Sequence, residues 1–253
     1  MPADIRNPEA AASGSQKYPL DGAFTPKDLT GEDLGSREKI KAATALIWYP
    51  AETDVSIRPG WFYHQKDDAH VKTPAKLVDI YYSAVGRNGV LLLNVPPDRR
   101  GRIHDNDVAS LAGMRKILDE TFKTNLAAGA KIKASNAKTG HDAACILDGR
   151  KTEFWTTDDG IEAARIDLEF PEARTFDRAM LQEYIRAGQR IEKFSLERWD
   201  GTDWLLFAQG TTLGYKRLLR FPAVTAKKVR LKIEQSRTSP TLAAFGLYKE
   251  PSR

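Results

Sequence analysis

A single cysteine in 253 residues excludes an internal disulfide and leaves too few thiols for a zinc or iron–sulfur site. That residue, Cys145, sits in AACILDG, an apolar setting that predicts a buried, inert thiol. No run of about 18 apolar residues is present, so no membrane span is expected. The N-terminal stretch MPADIRNPEAAASGSQKYPLDG lacks the apolar centre of a signal peptide. The chain carries 39 basic against 34 acidic residues, a formal charge of +5. These bases are spread along the chain without a long basic block, which describes a solvated surface and not a nucleic-acid partner. Histidine is also scarce, and His64 and His70 lie too far from any matching set of ligands to argue for a metal. Internal repeats and low-complexity tracts are absent.

What is present is a core. Apolar residues make up 41% and aromatic residues 9% of the chain, as in globular domains. Residues 1–37 are rich in Pro, Gly, Ser and acids and read as irregular chain; residues 38–47 predict a short helix turning into a strand over 43–48. Thr73 followed by Pro74 predicts a capped helix start, with Leu77, Ile80, Tyr81 and Val85 on one face and an end near GRNG, 86–89. GVLLLNV, 89–95, is a short continuous apolar run, as expected of a parallel strand buried on both faces. A second helix is expected over 105–122, with Val108, Leu111, Met114, Leu118 and Phe122 at helical spacing.

Strand, loop, helix, strand, loop, helix is the rhythm of a (β/α) barrel. Only two or three such units fit here, roughly, where a full barrel takes about 250 residues. Beyond about residue 124 the pattern changes to short alternating runs: KIKAS, RIDLEF, FSLERW, WLLFAQ and KVRLKIEQ. Such runs predict a β-sandwich, with a boundary near Lys123–Ala128. The fold class expected is therefore α/β plus all-β.

The stretch WYPAETDVSIRPGWFYH crowds a carboxylate, Glu52, among rings just past the run expected to form a strand. Chemistry in parallel barrels gathers at the C-terminal ends of strands, which makes Glu52 a catalytic candidate. Trp61 offers a ring face of the kind that packs on the apolar patch of a sugar. Asp54 and Arg58 are expected to pair as loop scaffolding. Asn94 in NVPPD is a further pocket candidate, and GRNG reads as a turn, since a phosphate cradle needs a following Lys-Ser/Thr.

WYPAETDVSIRPGWFYH together with LVDIYYSAVGRNGVLLLNVPPDRRG resembles the retaining α-L-fucosidases of glycoside hydrolase family 29, most closely the branch acting on α-1,3/1,4-linked fucose. PADIR resembles that family's Gly-Pro-Asp-Ile/Val-Arg-Trp segment, with Asn7 in the place of the tryptophan. ASNAKTGHDAACILDGRKTEFWTT, LQEYIRAGQRIEKFSLERWDGTDW and GTTLGYKRLLRF resemble a discoidin-like (F5/8 type C) β-sandwich, a jelly roll. The resemblance implies residues 1–123 as the C-terminal segment of a catalytic (β/α)8-type barrel and 124–253 as the discoidin-like module. It implies Glu52 as general acid/base and Arg6 as a fucose contact, beside Trp61. It implies Trp155, Glu183, Gln189 and Arg190 as framework of the sandwich. The family's nucleophilic aspartate lies on an earlier barrel strand with no counterpart here, so this chain alone is expected to be inactive. No metal or organic cofactor is implied. The expected partner is a fucosylated oligosaccharide or glycoconjugate, and export to the periplasm or beyond is the family's habit. The rival expectation is a non-catalytic carbohydrate-binding or structural protein.

Overall fold

The computed structural model describes residues 37–41, 51–149 and 152–251. Arg37–Ile40 form a short helix, α1. Arg6 and the strand expected over 43–48 lie outside the described residues.

From Ala51 onward the chain forms one compact unit, which opens with a β–α–β crossover. Strands β1 (Glu52–Ser56) and β2 (Val90–Asn94) pair in parallel, Glu52 opposite Val90 and Ser56 opposite Asn94. Helix α2 (Pro74–Ala84) connects them. It starts as the sequence predicts: the Thr73 hydroxyl accepts the Lys76 N–H at 3.3 Å, and Pro74 occupies a first-turn position whose N–H would have no helical partner. The buried face differs from the expected one. Leu77, Val78 and Tyr82 are buried, whereas Ile80, Tyr81 and Val85 are only half-buried. The stripe is turned because Val78 and Tyr82 pack on Leu218, a contact no local periodicity encodes.

Strand β2 is parallel as expected, but not buried on both faces. Val90 and Leu92 are 56% and 51% exposed. Alternate side chains of a strand point to opposite faces, and no described element covers this one. Helix α3 (Asp105–Phe122) also departs from its expected stripe. Val108 is exposed, while Asp107, Ser110 and Thr121 are buried. Each of these polar groups has a partner, as burial demands: Asp107 holds Arg58, Ser110 donates to the Lys72 carbonyl, and Thr121 donates to the Ile117 carbonyl at 2.7 Å. Met114, Leu118 and Phe122 pack on the Val78–Tyr82–Leu218 cluster.

The rest is antiparallel sheet. Its strands run in the order β10 (Ala244–Tyr248), β5 (Ala164–Gln182), β8 (Arg217–Ser236), β6 (Ile191–Trp199), β7 (Trp204–Gly210), with β3 (Lys131–Ala134) also paired to β5. A separate pair joins β4 (Trp155–Thr156) to β9 (Thr241–Leu242). All five sequence-predicted runs are strands, but RIDLEF and KVRLKIEQ are parts of much longer ones. Pro171 and Pro222 lie where β5–β8 pairing is interrupted, so neither removes a ladder hydrogen bond that the sheet needs. Strand β5 pairs with β3 on one side of that interruption and with β10 on the other. The core contains Trp155, Phe170, Phe176, Phe194, Leu231 and Phe245, all essentially without exposure; each such side chain contributes about 1.5–3 kcal/mol.

Candidate functional site

The C-terminal ends of β1 and β2 converge on one polar cluster. Asn94 donates from Nδ2 to Ser56 Oγ at 3.0 Å and to the Trp61 carbonyl at 2.9 Å. Ser56 in turn donates to the Gly60 carbonyl at 2.7 Å and accepts the Arg58 N–H. The loop carrying Trp61 is thus fastened to both strand ends. Trp61 itself is half exposed and Phe62 almost fully so, leaving two rings open on the rim.

Arg58 anchors this loop from below. Its side chain and that of Asp107 are wholly buried, with contacts of 3.1 Å from Nε to each carboxylate oxygen and 2.6 Å from Nη2. Nη1 reaches Asp68 at 2.9 Å, and the guanidinium lies 4.8 Å from the centre of the Tyr63 ring. Burial pulls the Arg58 pKa down, but the hydrogen bonds to Asp107 and Asp68 outweigh it and raise it. Asp54 is therefore not the partner of Arg58. Arg58 lies beyond the end of β1 and turns inward to α3, whereas Asp54 stays exposed on the strand. Lys72 completes the support, donating to the Ser56 carbonyl at 2.6 Å and to the Arg58 carbonyl at 3.3 Å; burial, with a smaller push from Lys76, lowers its pKa. Beyond β2, Asp98 accepts the Arg100 side chain and N–H and the Arg102 N–H. Chiefly through the Arg100 side chain, its pKa falls to about 2.

Glu52 stands elsewhere. The sequence places it on a loop past a strand; in the structure it opens β1, exposed, opposite Val90. Four residue steps at about 3.3 Å separate it from Ser56, roughly 13 Å, more than the width of one pyranose ring. Of the rings expected around Glu52, Trp61, Phe62 and Tyr63 follow the opposite end of the strand, and Trp48 and Tyr49 lie outside the described residues.

In the sheet domain, Trp155 is buried and donates to the Asn136 carbonyl at 3.0 Å. Arg190 donates to the Ser239 carbonyl at 2.7 Å. Glu183, 2% exposed, accepts three backbone N–H groups, from Arg190, Ile191 and Gly214; burial nevertheless raises its pKa. Gln189 is exposed and is not framework in this sense. Cys145 is half-buried rather than fully so, and burial pushes its thiol up to about 11, away from the reactive thiolate.

One arrangement escaped the sequence reading. A cleft of about 690 Å³ is lined by His141, Asp142, Cys145, Asp148, Glu153 and Phe154, among others. In its wall the Phe154 ring stacks on Tyr184, 4.1 Å between centroids, and the His141 ring lies tilted against Phe154 at 4.4 Å. These three residues are far apart in sequence and follow no periodic spacing, so only the fold assembles them.

Comparisons with known proteins agree with these two parts. Residues 21–121 match the model of the Alpha-L-fucosidase family, and residues 131–246 match that of the F5/8 type C domain. Alpha-L-fucosidase 1 of Arabidopsis thaliana is 36% identical over 210 residues, covering 80% of this chain and 41% of the relative. Among solved structures, SpGH29 superposes with a TM-score of 0.76 at 34% identity, over 91% of this chain and 52% of that one. The Ruminococcus gnavus GH29 fucosidase E1_10125, solved in complex with fucose, gives a TM-score of 0.77 at 30% identity, over 83% and 44%. The chain thus spans about half the length of these relatives or less.

Proposed function

We propose that this chain, which joins an α-L-fucosidase family segment to an F5/8 type C domain, supplies the C-terminal portion of a periplasmic or secreted retaining α-L-fucosidase acting on α-1,3/1,4-linked L-fucose of glycans. The observation that carries the reading is the strand-end cluster of Ser56, Asn94 and the Trp61 loop, at the end of a parallel pair where such folds place their chemistry. The Trp61 ring, half exposed on a fastened backbone, is suited to pack on the apolar face of a sugar. Residues 1–123 belong to the catalytic barrel and 124–253 to the discoidin-like module.

Retaining hydrolysis needs two carboxyl groups about 5 Å apart, one attacking and one protonating the leaving oxygen. The resemblance gives Glu52 the acid/base role and puts the attacking aspartate on an earlier barrel strand, so the 253-residue chain is inactive by itself. Glu52 and Trp61, at opposite ends of β1, compete for a place in one fucose pocket. Substitutions in an enzyme completed with the N-terminal barrel strands separate them. Glu52→Gln lowers hydrolysis of natural linkages by about 10²–10⁴-fold, with azide restoring turnover of an activated aryl fucoside. Trp61→Ala raises KM. Full activity in Glu52→Gln removes its acid/base role, and an unchanged KM in Trp61→Ala removes the rim assignment.

A second reading is favoured by the ring cluster of His141, Phe154 and Tyr184: the F5/8 type C domain holds a carbohydrate in the adjoining cleft without catalysing anything. Retention of the chain on immobilised glycans, lost in Phe154→Ala, is the outcome expected of it.

A further inference from the structure

We propose that Asn88 is a positioning residue through which the sheet domain sets the place of strand β2, and with it the strand-end rim; the functional part of this inference rests on the reading of that rim as the sugar site. Asn88 is the only non-glycine with positive φ (70°) among the described residues. It lies in the turn between α2 and β2, two residues ahead of the strand. Its own N–H reaches the Val85 carbonyl at 3.3 Å, and the next N–H, of Gly89, reaches that of Ala84 at 2.9 Å. Left-handed backbone is costly for most side chains and mild for asparagine.

The side chain explains why asparagine and not glycine is there. Nδ2 donates to the Leu213 carbonyl at 2.8 Å, and Oδ1 accepts the Lys216 N–H at 2.7 Å. The amide therefore pairs with one acceptor and one donor of the loop between β7 and β8, as a strand would. Gly214, at φ +65°, lies flat against it: a Cβ there would come within 2.7–2.8 Å of Asn88 Oδ1, Cγ and Nδ2. The same Gly214 donates its N–H to the buried Glu183 carboxylate at 2.6 Å and accepts the Glu183 N–H at 2.8 Å. Glu183 also holds the start of β6 through Ile191. Next to the amide, Leu218 donates to the Gly86 carbonyl at 2.9 Å, and Arg87 bridges to Arg217.

The loop is thus fixed from the sheet side by a buried carboxylate, and its tie to the head of β2 is the Asn88 amide, next to the β8 backbone ties at Gly86 and Arg87. Strand β2 is rigid in pairing: Val90 donates to the Ala51 carbonyl at 2.7 Å at one end, and Ile57 donates to the Asn94 carbonyl at 2.9 Å at the other. A displacement at its head is passed to Asn94, and from Asn94 to Ser56 and the Trp61 loop.

Two substitutions test this. Asn88→Gly takes the same backbone conformation without strain and deletes the amide pairing, with a freer backbone at that one position as its side effect. Gly214→Ala keeps Asn88 and drives a methyl group into it. Backbone hydrogen exchange is measured on the 253-residue chain. Both variants are expected to speed exchange in β2 and in the 57–61 segment about tenfold or more, the effect of losing one or two neutral hydrogen bonds, with Phe194 and Leu231 in the sheet unchanged. In the double variant, removal of the amide relieves the clash, so its effect is less than the sum of the two. Faster exchange confined to 213–216, or strict additivity, overturns the inference. In the completed enzyme, Asn88→Gly raises KM for an aryl fucoside, and Asn88→Gln, whose amide is one carbon too far out, does not rescue it; an unchanged KM also overturns it. If the completed enzyme hydrolyses no fucoside but exchange spreads to the rim, the proposed function fails and the positioning role of Asn88 stands.

Discussion

Replacing Arg58 by methionine tests whether the rim loop is held by a buried charge pair. The substitution keeps an unbranched chain of similar reach and removes the cation. Asp107 then stays wholly buried with no guanidinium to donate to its two oxygens. Asp68 also gives up a hydrogen bond, but it is partly exposed and keeps Tyr63 and His104 nearby, so little cost falls there. Removing one partner of a buried pair costs about 3–5 kcal/mol, because the remaining charge is uncompensated. For a chain of this size each kcal/mol moves the melting temperature by about 2–4 °C, so Arg58→Met should melt about 6–20 °C lower. The diagnostic variant is Arg58→Met/Asp107→Leu. With both buried charges gone the Asp107 site is apolar and filled, and such replacements are often neutral or stabilising; the losses left are the partly exposed Asp68 contact, the Tyr63 ring contact and the small helix-start contribution of Asp107 on α3. The double variant should therefore recover most of the stability. Calorimetry with urea titration decides it. A single variant within about 1 kcal/mol of wild type, or a double variant as unstable as the single, refutes the reasoning.

Asp98 should stay ionised to about pH 2 by carbon-detected NMR titration. Since its folded pKa lies below its unfolded value, it stabilises above about pH 4, and that contribution is lost as pH falls through its folded pKa; Asp98→Asn should flatten this part of the acid profile. Expressed separately, residues 124–253 should melt cooperatively, because their core is complete, whereas residues 1–122 should aggregate through Val90, Leu92 and open strand edges; a soluble, cooperatively melting 1–122 piece contradicts this.

Much of the secondary structure was legible in the residues themselves. Thr73-Pro74 marks its helix start through local chemistry, and the five alternating runs after residue 124 mark strands through their period. What stayed hidden depends on partners distant in sequence. Val78 and Tyr82 are buried because Leu218 lies on them. Asp107 and Ser110 occupy the inner face of α3 because Arg58 and the Lys72 carbonyl meet them there. At the site, Trp61 and Asn94 were legible as ring and amide near strand ends. Their separation from Glu52 was not, because the sequence does not say which apolar run makes the strand that pairs with β2. GRNG was legible as a turn, but nothing local distinguishes an asparagine that merely tolerates left-handed backbone from one whose amide grips a distant loop.

The cluster joining Val78 and Tyr82 to Leu218 also bears on how the chain is made. Synthesis delivers α2 and β2 well before β8, and at about 5–20 residues per second several seconds separate them from Leu218. The last strand, β10, which pairs with β5 and brings Tyr248 against Phe122, follows later still. Throughout that interval the apolar face of α2 has α3 against it but lacks Leu218. A ribosome stalled before β8 would therefore release a chain whose Val78–Tyr82 face lacks the residue that completes its cluster.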